Sequence, residues 1–150
     1  MDAVDRKILT ELQADGRLTV TELADRVRLS ISPCHRRLRA LEASGVITGY
    51  RAHVNREVLG LGFQALVFVT MATAARPTID AFETAVAALP TVLDAQRLFG
   101  DPDYLLRVVA RDLGDFQRAY DEDLTTLPGV GRLSSTLIMK SVVTDRPLPL

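Results

Sequence analysis

Two short helical patterns joined by a tight polar turn occupy residues 19–45. The first is amphipathic and begins near Val20, and the turn Arg28-Leu29-Ser30-Ile31 follows it. Ser32 then stands where an N-cap belongs and Pro33 at the first helical position, where a missing N–H is no loss because that donor has no partner inside a helix. The predicted buried face of the first helix comprises Val20, Leu23, Ala24 and Val27. Such a pair is typical of a helix-turn-helix, whose second helix enters the major groove of DNA.

The second helix combines an apolar face with basic residues on its other faces. Leu38 and Leu41 lie three residues apart on one side. Residues 26–41 contain five arginines and no acidic residue, although the whole chain has a net charge of -1. This local asymmetry indicates a nucleic-acid surface, and the alternative is a basic face that is merely solvated. The predicted DNA-binding residues are Ser32, Pro33, His35, Arg36, Arg37, Arg39 and Arg28. Among them, we expect Arg28 and Arg37 to hold phosphates and Ser32, His35, Arg36 and Arg39 to contact the groove.

Composition excludes several classes of protein. A chain of 150 residues can form one domain or two small ones but not a large multidomain enzyme. The single cysteine, Cys34, allows no intramolecular disulfide and fits a reducing cytoplasm. We interpret Cys34 as a packing residue, and the alternative is a redox sensor. The acidic start of the chain lacks the features of a signal peptide, and no charge-free stretch is long enough to span a bilayer as a helix. We therefore expect a cytoplasmic protein with no membrane partner.

Helical spacing extends through the amino-terminal segment. Val4, Ile8 and Leu12 recur every four residues on a first helix. We expect this helix to end at Asp15-Gly16, with Gly16 in the left-handed cap conformation, and the third helix to end in the same way at Ser44-Gly45.

A change of pattern after the third helix marks a domain boundary. Residues 46–55 alternate between apolar and polar and predict a connecting strand. Gly60 and Gly62 then make the backbone more flexible. The sequence thus predicts a helix-turn-helix domain over 1–45, a connecting strand and hinge over 46–62, and a second domain over 63–150.

The second domain shows the periodicity of alternating strands and helices. Strands are predicted over 64–71, 92–99, 104–110 and 133–143, and helices over 78–89 and 112–127. The residues expected to face the core are Ile79, Phe82 and Val86 on one helix and Phe116, Tyr120 and Leu124 on the other, with Asp112 as the cap of the second. This order is that of the ferredoxin-like βαββαβ fold, so the chain is assigned to the α+β class.

Both faces of the predicted sheet are apolar. In the first strand, Ala65, Val67 and Val69 point one way and Leu66 and Phe68 the other. Because a ferredoxin-like sheet carries its helices on one face, the second apolar face predicts a partner sheet from another copy of the chain. The alternative is that the amino-terminal helices cover it. A dimer would also place two recognition helices about 34 Å apart, as a palindromic site requires.

The order and spacing of several motifs resemble those of the Lrp/AsnC, or feast-famine, family of transcriptional regulators. The resemblance covers almost the whole chain. The motifs are Asp5-Arg6-Lys7-Ile8-Leu9, Leu29-Ser30-Ile31-Ser32-Pro33-Cys34, Arg37-Leu38-Arg39-Ala40-Leu41-Glu42, Gly45-Val46-Ile47-Thr48-Gly49-Tyr50 and Gly100-Asp101-Pro102-Asp103-Tyr104-Leu105-Leu106. The resemblance implies a DNA-binding regulator in which homodimers assemble into tetramers, octamers or larger discs and an amino acid binds between dimers. Together with the two-fold geometry above, this predicts a sequence-specific regulator of palindromic promoter sites.

The resemblance also implies an effector pocket. Its residues would be Arg97, Gly100, Asp101, Asp103, Tyr104, Ser135, Thr136, Leu137 and Ile138. The chemistry suits an amino acid, whose ammonium group needs a carboxylate and whose carboxylate needs N–H groups. A plain hairpin turn over 100–103 explains the same Gly and Asp residues without a ligand. Pro102 departs from the commonest form of the family turn.

Two other functions remain as alternatives: an architectural DNA-binding protein without an effector, and a small ferredoxin-like metabolic module. The second is disfavoured because the carboxy-terminal half contains no histidine and no cysteine. It also contains no nucleophile with a base and no glycine-rich phosphate loop. The sequence therefore predicts no enzyme activity, no cofactor and no metal site.

Overall fold

Three helices form the amino-terminal part of the chain: α1 (Ala3–Ala14), α2 (Val20–Val27) and α3 (Ile31–Ala43). The structure is a computed structural model that describes all residues from 1 to 150. Its internal contacts divide the chain into a unit of residues 1–53 with 142–150 and a second unit of residues 54–141.

Side-chain caps determine where α1 and α2 begin. Asp2 accepts hydrogen bonds from the backbone N–H groups of Val4 and Asp5, and the Asp5 carboxylate accepts one from the N–H of Asp2. Thr19 and Glu22 form the same reciprocal capping box at the start of α2. Each box satisfies donors that a helix start would otherwise leave unpaired.

The predicted left-handed glycine cap is wrong for α1 and confirmed for α3. Gly16 does not adopt a positive φ, because Asp15 closes the turn with its own carboxylate, which accepts a hydrogen bond of 2.9 Å from the N–H of Arg17. Gly45, by contrast, follows α3 with a φ of 74°.

Helix α3 begins earlier than predicted. Its N-cap is Ser30, not Ser32, and Pro33 is the third helical residue. The reason is that Arg28 adopts the left-handed conformation (φ 58°) and reverses the chain at once, so that helical geometry resumes at Ile31. Pro33 is still tolerated, because the N–H of the third helical residue also lacks an intrahelical partner. The Cys34 N–H makes the first helical bond, to the Ser30 carbonyl at 3.2 Å.

The core of this unit lies where the three helices meet. Val20, which was expected in it, is only half-buried. Cys34 is fully buried, and burial raises the pKa of its thiol, as expected of a packing residue. The buried residues are Ile8, Leu9, Leu23, Ala24, Val27, Cys34 and Leu41.

The segment over 46–55 is not a strand in this chain. It pairs with no other strand, and Val46, Tyr50 and Val54 are exposed. The predicted connecting strand is therefore wrong for the single chain, because alternation alone supplies no partner for its backbone groups. At the other end of the chain, residues 142–150 pack with the amino-terminal unit. The Gln13 amide donates to the Leu148 carbonyl at 3.3 Å and accepts from its N–H at 2.6 Å.

The second unit contains the predicted ferredoxin-like order of elements. They are β1 (Phe63–Met71), α4 (Arg76–Ala87), β2 (Val92–Arg97), β3 (Tyr104–Ala110), α5 (Leu113–Ala119) with a π-helical continuation (Tyr120–Leu124), and β4 (Val130–Leu137). The strands form one antiparallel sheet in the order β2-β3-β1-β4. No helix of the structure combines the length and apolarity that a membrane span requires.

The last strand ends at Leu137 rather than at residue 143 as predicted. Its partner β1 begins at Phe63, so the pairing stops with the bond of 3.0 Å from the Ile138 N–H to the Gln64 carbonyl. Beyond that point no strand lies beside it, and apolar residues alone do not extend a ladder.

The core of the second unit lies between α4, α5 and one face of the sheet. Ala65, Val67 and Val69 are fully buried there, and the rings of Phe82 and Tyr104 stand 4.6 Å apart. The predicted helix faces are confirmed, because Ile79, Phe82, Val86, Phe116 and Leu124 are buried and Tyr120 packs against them.

The start of α5 depends on Asp115. Its carboxylate accepts hydrogen bonds from the Arg111 side chain (3.1 and 3.2 Å), from the Arg111 backbone (3.1 Å) and from Arg118 (2.6 Å). Its own N–H donates to the cap Asp112 at 2.8 Å. The bonds from Arg111 lower the pKa of Asp115 from the ordinary value of 3.8 to about 2.

A carboxylate with a lowered pKa stabilises the fold above its unfolded pKa, and this contribution is lost as the pH falls through the folded value. We therefore expect the stability of the protein to fall between pH 3.8 and about 2, and Asp115→Asn to remove part of that dependence. Urea unfolding at several pH values measures the stability and its acid dependence. The exposed Asp121→Asn serves as the control. An unchanged acid dependence in Asp115→Asn would contradict the assignment.

Candidate nucleic-acid interface and effector region

The structure separates α3 into a buried face and an exposed face. Cys34 and Leu41 are buried against α1 and α2, and Leu38 packs beside them. At about 100° per residue, the remaining positions turn toward solvent on one side of the helix. The exposed residues on that side are Ile31, Ser32, His35, Arg36 and Arg39. Four of them are the predicted groove contacts, so the structure brings these four together on one surface.

The arginines of this surface form weak ion pairs or none. The Arg39 Nε donates to His35 Nε2 at 3.4 Å, and its Nη1 lies 3.4 Å from Glu42. Exposed pairs of this length contribute little to stability, which leaves Arg39 free to turn toward a ligand. Arg36 and Arg28 are exposed and form no ion pair. A surface with three available guanidinium groups and no acidic residue in its centre suits the phosphates and base edges of DNA.

Arg37, a predicted phosphate contact, forms ion pairs within its own unit. Its Nη1 donates to Asp2 at 2.7 Å and to Asp5 at 2.8 Å, so the guanidinium ties α3 to the start of α1. The two carboxylates raise the pKa of Arg37, and the bonds from the Asp5 backbone and from Arg37 lower the pKa of Asp2. The pattern Asp2-x-x-Asp5 signals a capping box, but which arginine it meets depends on how α1 packs against α3. Pro33 is half-buried in the first turn of α3.

The predicted effector turn is fastened to the central strand. The Asp103 carboxylate accepts a bond of 2.7 Å from the Met71 N–H, and the Asp103 N–H donates to the Val69 carbonyl at 2.9 Å. Asp101 is exposed, with Thr70 Oγ1 at 3.4 Å and Arg132 at 3.9 Å. Gly100 has a φ of +144°, which other residues rarely adopt. Asp103 thus holds the turn, whereas Asp101 presents a carboxylate to solvent.

Arg97 and Tyr104 meet at the helix side of the sheet. The Tyr104 hydroxyl donates to Glu83 at 2.7 Å, and Arg97 Nη1 lies 3.7 Å from the same carboxylate. The pKa of Tyr104 is raised to about 12, mainly because the hydroxyl is buried and secondly because it donates to Glu83. The three residues border a cavity of about 420 Å³ between α4 and β2, with Phe82 and Val86 in its wall. Sequence reasoning missed Glu83, because only packing shows that this helix position meets the edge of the sheet.

The predicted effector residues of β4 lie at the opposite edge of the sheet. Ser135 and Leu137 pair with Val67 and Ala65, on the face that carries the helices, whereas Thr136 pairs with Leu66 on the other face. Since β2 and β4 are the two edge strands, Arg97 and Ser135 stand on opposite sides of β3 and β1. A single chain does not bring the nine predicted effector residues into one pocket.

Two family models match the two parts of the chain. The model of a winged helix-turn-helix DNA-binding domain matches residues 1–48, and that of the Lrp/AsnC ligand-binding domain matches residues 64–148. The chain is 42% identical over 142 residues to a leucine-responsive regulatory protein of Rhizobium meliloti, covering 95% of this chain and 91% of the relative. It is 40% identical over 143 residues to a proline dehydrogenase transcriptional activator of Rhodobacter capsulatus, covering 95% and 93%.

A solved structure has the same fold over nearly the whole chain. It is a transcriptional regulator from Neisseria meningitidis in complex with L-methionine, with a TM-score of 0.94, 37% identity, and coverage of 99% of this chain and 96% of that one. The fold and the exposed surface of α3 define a helix-turn-helix transcriptional regulator with a ligand-binding domain. The chain belongs to the Lrp/AsnC family.

Adjacent arginines of α3 allow a direct test of these assignments. We expect Arg36→Met to leave stability unchanged and to weaken binding to a selected duplex by about 1–3 kcal/mol, because it removes an exposed guanidinium that is predicted to contact a base. We expect Arg37→Met to lower the unfolding temperature, because it leaves Asp2 and Asp5 unpaired, and to spare sequence preference. Thermal unfolding and DNA titrations at several salt concentrations measure both. A stable Arg37→Met protein with a flatter salt dependence would instead make Arg37 a phosphate contact.

Proposed function

We propose that this chain is a homo-oligomeric transcription factor whose binding to palindromic promoter sites responds to an amino acid bound between copies. The observation that carries the proposal is the methionine complex of the Neisseria regulator, which shares the fold along almost the whole chain. Division of the chain into a DNA-binding domain (1–45), a hinge (46–62) and an effector domain (63–150), acting in the cytoplasm, is part of the proposal.

On the DNA side, the surface of α3 supports base recognition. Ser32, His35, Arg36 and Arg39 would contact base edges, and Arg28 at the left-handed turn would hold a phosphate. Two such helices related by a two-fold axis would read the two halves of a palindrome in successive major grooves.

The open face of the sheet supports assembly. Leu66, Phe68 and Leu105 stand on the side away from α4 and α5 and are only half-buried in the single chain. Apolar residues on two central strands are a self-complementary surface of the kind that a two-fold axis can bury. A second copy of the sheet is the proposed occupant of this face.

The effector pocket requires more than one chain. Asp101 lies 3.9 Å from Arg132 of β4, and with the open turn at Gly100 it offers a carboxylate and backbone N–H groups on the side of the sheet where Ser135 and Thr136 offer hydroxyls. Arg97 stands at the other edge, so it would join these groups around one ligand only when a neighbouring copy supplies it. An amino acid held in this way favours one assembly and thereby alters the spacing of the recognition helices.

Light scattering and DNA titration in the presence of each amino acid in turn test the effector. We expect one amino acid to change both the assembled mass and the affinity for DNA. Asp101→Asn should weaken this response at least tenfold, because an amide replaces the proposed ammonium partner. The matched control is Asp121→Asn, an exposed aspartate outside the pocket. A protein that binds DNA in one fixed assembly, indifferent to every amino acid, would favour an architectural role.

The assembly surface has a separate test. We expect Phe68→Arg to yield monomers in light scattering while the circular dichroism spectrum stays that of the folded chain, because a charge cannot be buried unpaired between two sheets. Leu113→Arg, at an exposed leucine of α5, is the control and should keep the original mass. A Phe68→Arg protein with unchanged mass would show that another surface joins the copies.

A further inference from the structure

Ile31 is an exposed apolar residue that does not pack in the core of its unit. It is the first residue of α3 and is 52% exposed. Every other large apolar side chain of α1, α2 and α3 is buried or half-buried. Ile31 is also absent from the group of partly buried residues that pack against the core of this unit. Stability therefore does not explain an isoleucine here.

Ile31 lies at the amino-terminal end of the exposed surface of α3. Ile31, His35 and Arg39 are spaced by four and therefore share one stripe along α3, in which the Arg39 Nε donates to His35 Nε2 at 3.4 Å. Ser32 and Arg36 form the neighbouring stripe. Because the amino-terminal turn of a recognition helix is the part that approaches base edges, Ile31 lies at the leading end of the stripe.

We propose that Ile31 recognises the 5-methyl group of a thymine in the major groove and is a specificity-determining residue. Thymine is the base that presents a methyl group there, and an apolar side chain gains free energy by removing that group from water. A hydrophobic side chain beside Ser32 and His35 complements the methyl, whereas these polar neighbours complement adjacent hydrogen-bonding edges. The inference rests on the proposal that the exposed face of α3 enters the groove.

The test uses DNA in which uracil replaces thymine, since uracil lacks only the 5-methyl group. A duplex is first selected from a random pool with the full chain, and each thymine is then replaced singly. At one thymine we expect the replacement to weaken binding of the natural protein about fourfold, the factor for one buried methyl group. In Ile31→Ala the same replacement should have no further effect. In Ile31→Val the effect of replacing thymine by uracil should lie between those in the natural protein and in Ile31→Ala.

The controls distinguish the methyl contact of Ile31 from the proposal that α3 enters the major groove, on which it rests. Leu113→Ala removes an exposed apolar side chain outside the surface and should retain the full uracil effect. A uracil effect that persists in Ile31→Ala, or a selected duplex with no thymine effect at all, would overturn the role of Ile31. If Arg36→Met still relaxes base preference in that case, α3 enters the groove and only the methyl contact fails. The natural protein on uracil duplexes tests the methyl contact even if Ile31→Ala is unstable.

Discussion

Burial of Cys34 and Leu41 against α1 and α2 is the constraint on which the exposed surface of α3 depends. Once these two side chains are inside, the helical repeat turns Ser32, His35, Arg36 and Arg39 outward together. The bonds of Arg37 to Asp2 and Asp5 fasten the same side of α3 to the start of α1. A helix held by packing and by ion pairs presents its exposed residues in one orientation.

In the second unit, strand order has the corresponding role. The central strands β1 and β3 bury their apolar residues under α4 and α5, which leaves β2 and β4 as the two edges. Among the residues that the family resemblance groups into one pocket, Arg97 thereby lies at one edge of the sheet and Ser135 to Leu137 at the other. Asp103 is used to hold its own turn, and Arg97 and Tyr104 are engaged with Glu83.

The features that depend on the repeat within a single helix or strand were predictable from the sequence. The faces of α4 and α5 follow from a repeat that Ile79, Phe82, Val86, Phe116 and Leu124 obey. Errors arose where an end depends on a neighbour. The start of α3 moved to Ile31 because Arg28 reverses the chain, and β4 stopped at Leu137 because β1 supplies no further partner. The connecting segment over 46–55 failed as a strand for the same reason.

The sequence by itself determined the α+β class, the order of the elements, the helix-turn-helix and the family, because these depend on periodicity, caps and motif spacing along the chain. Tertiary structure alone decided which arginine of α3 is occupied by Asp2 and Asp5, that Glu83 joins Arg97 and Tyr104, and that Ile31 has no place in the core. Each of these depends on contacts between residues distant in the sequence. Local patterns show which face of an element is buried, but not which side chain of another element it meets.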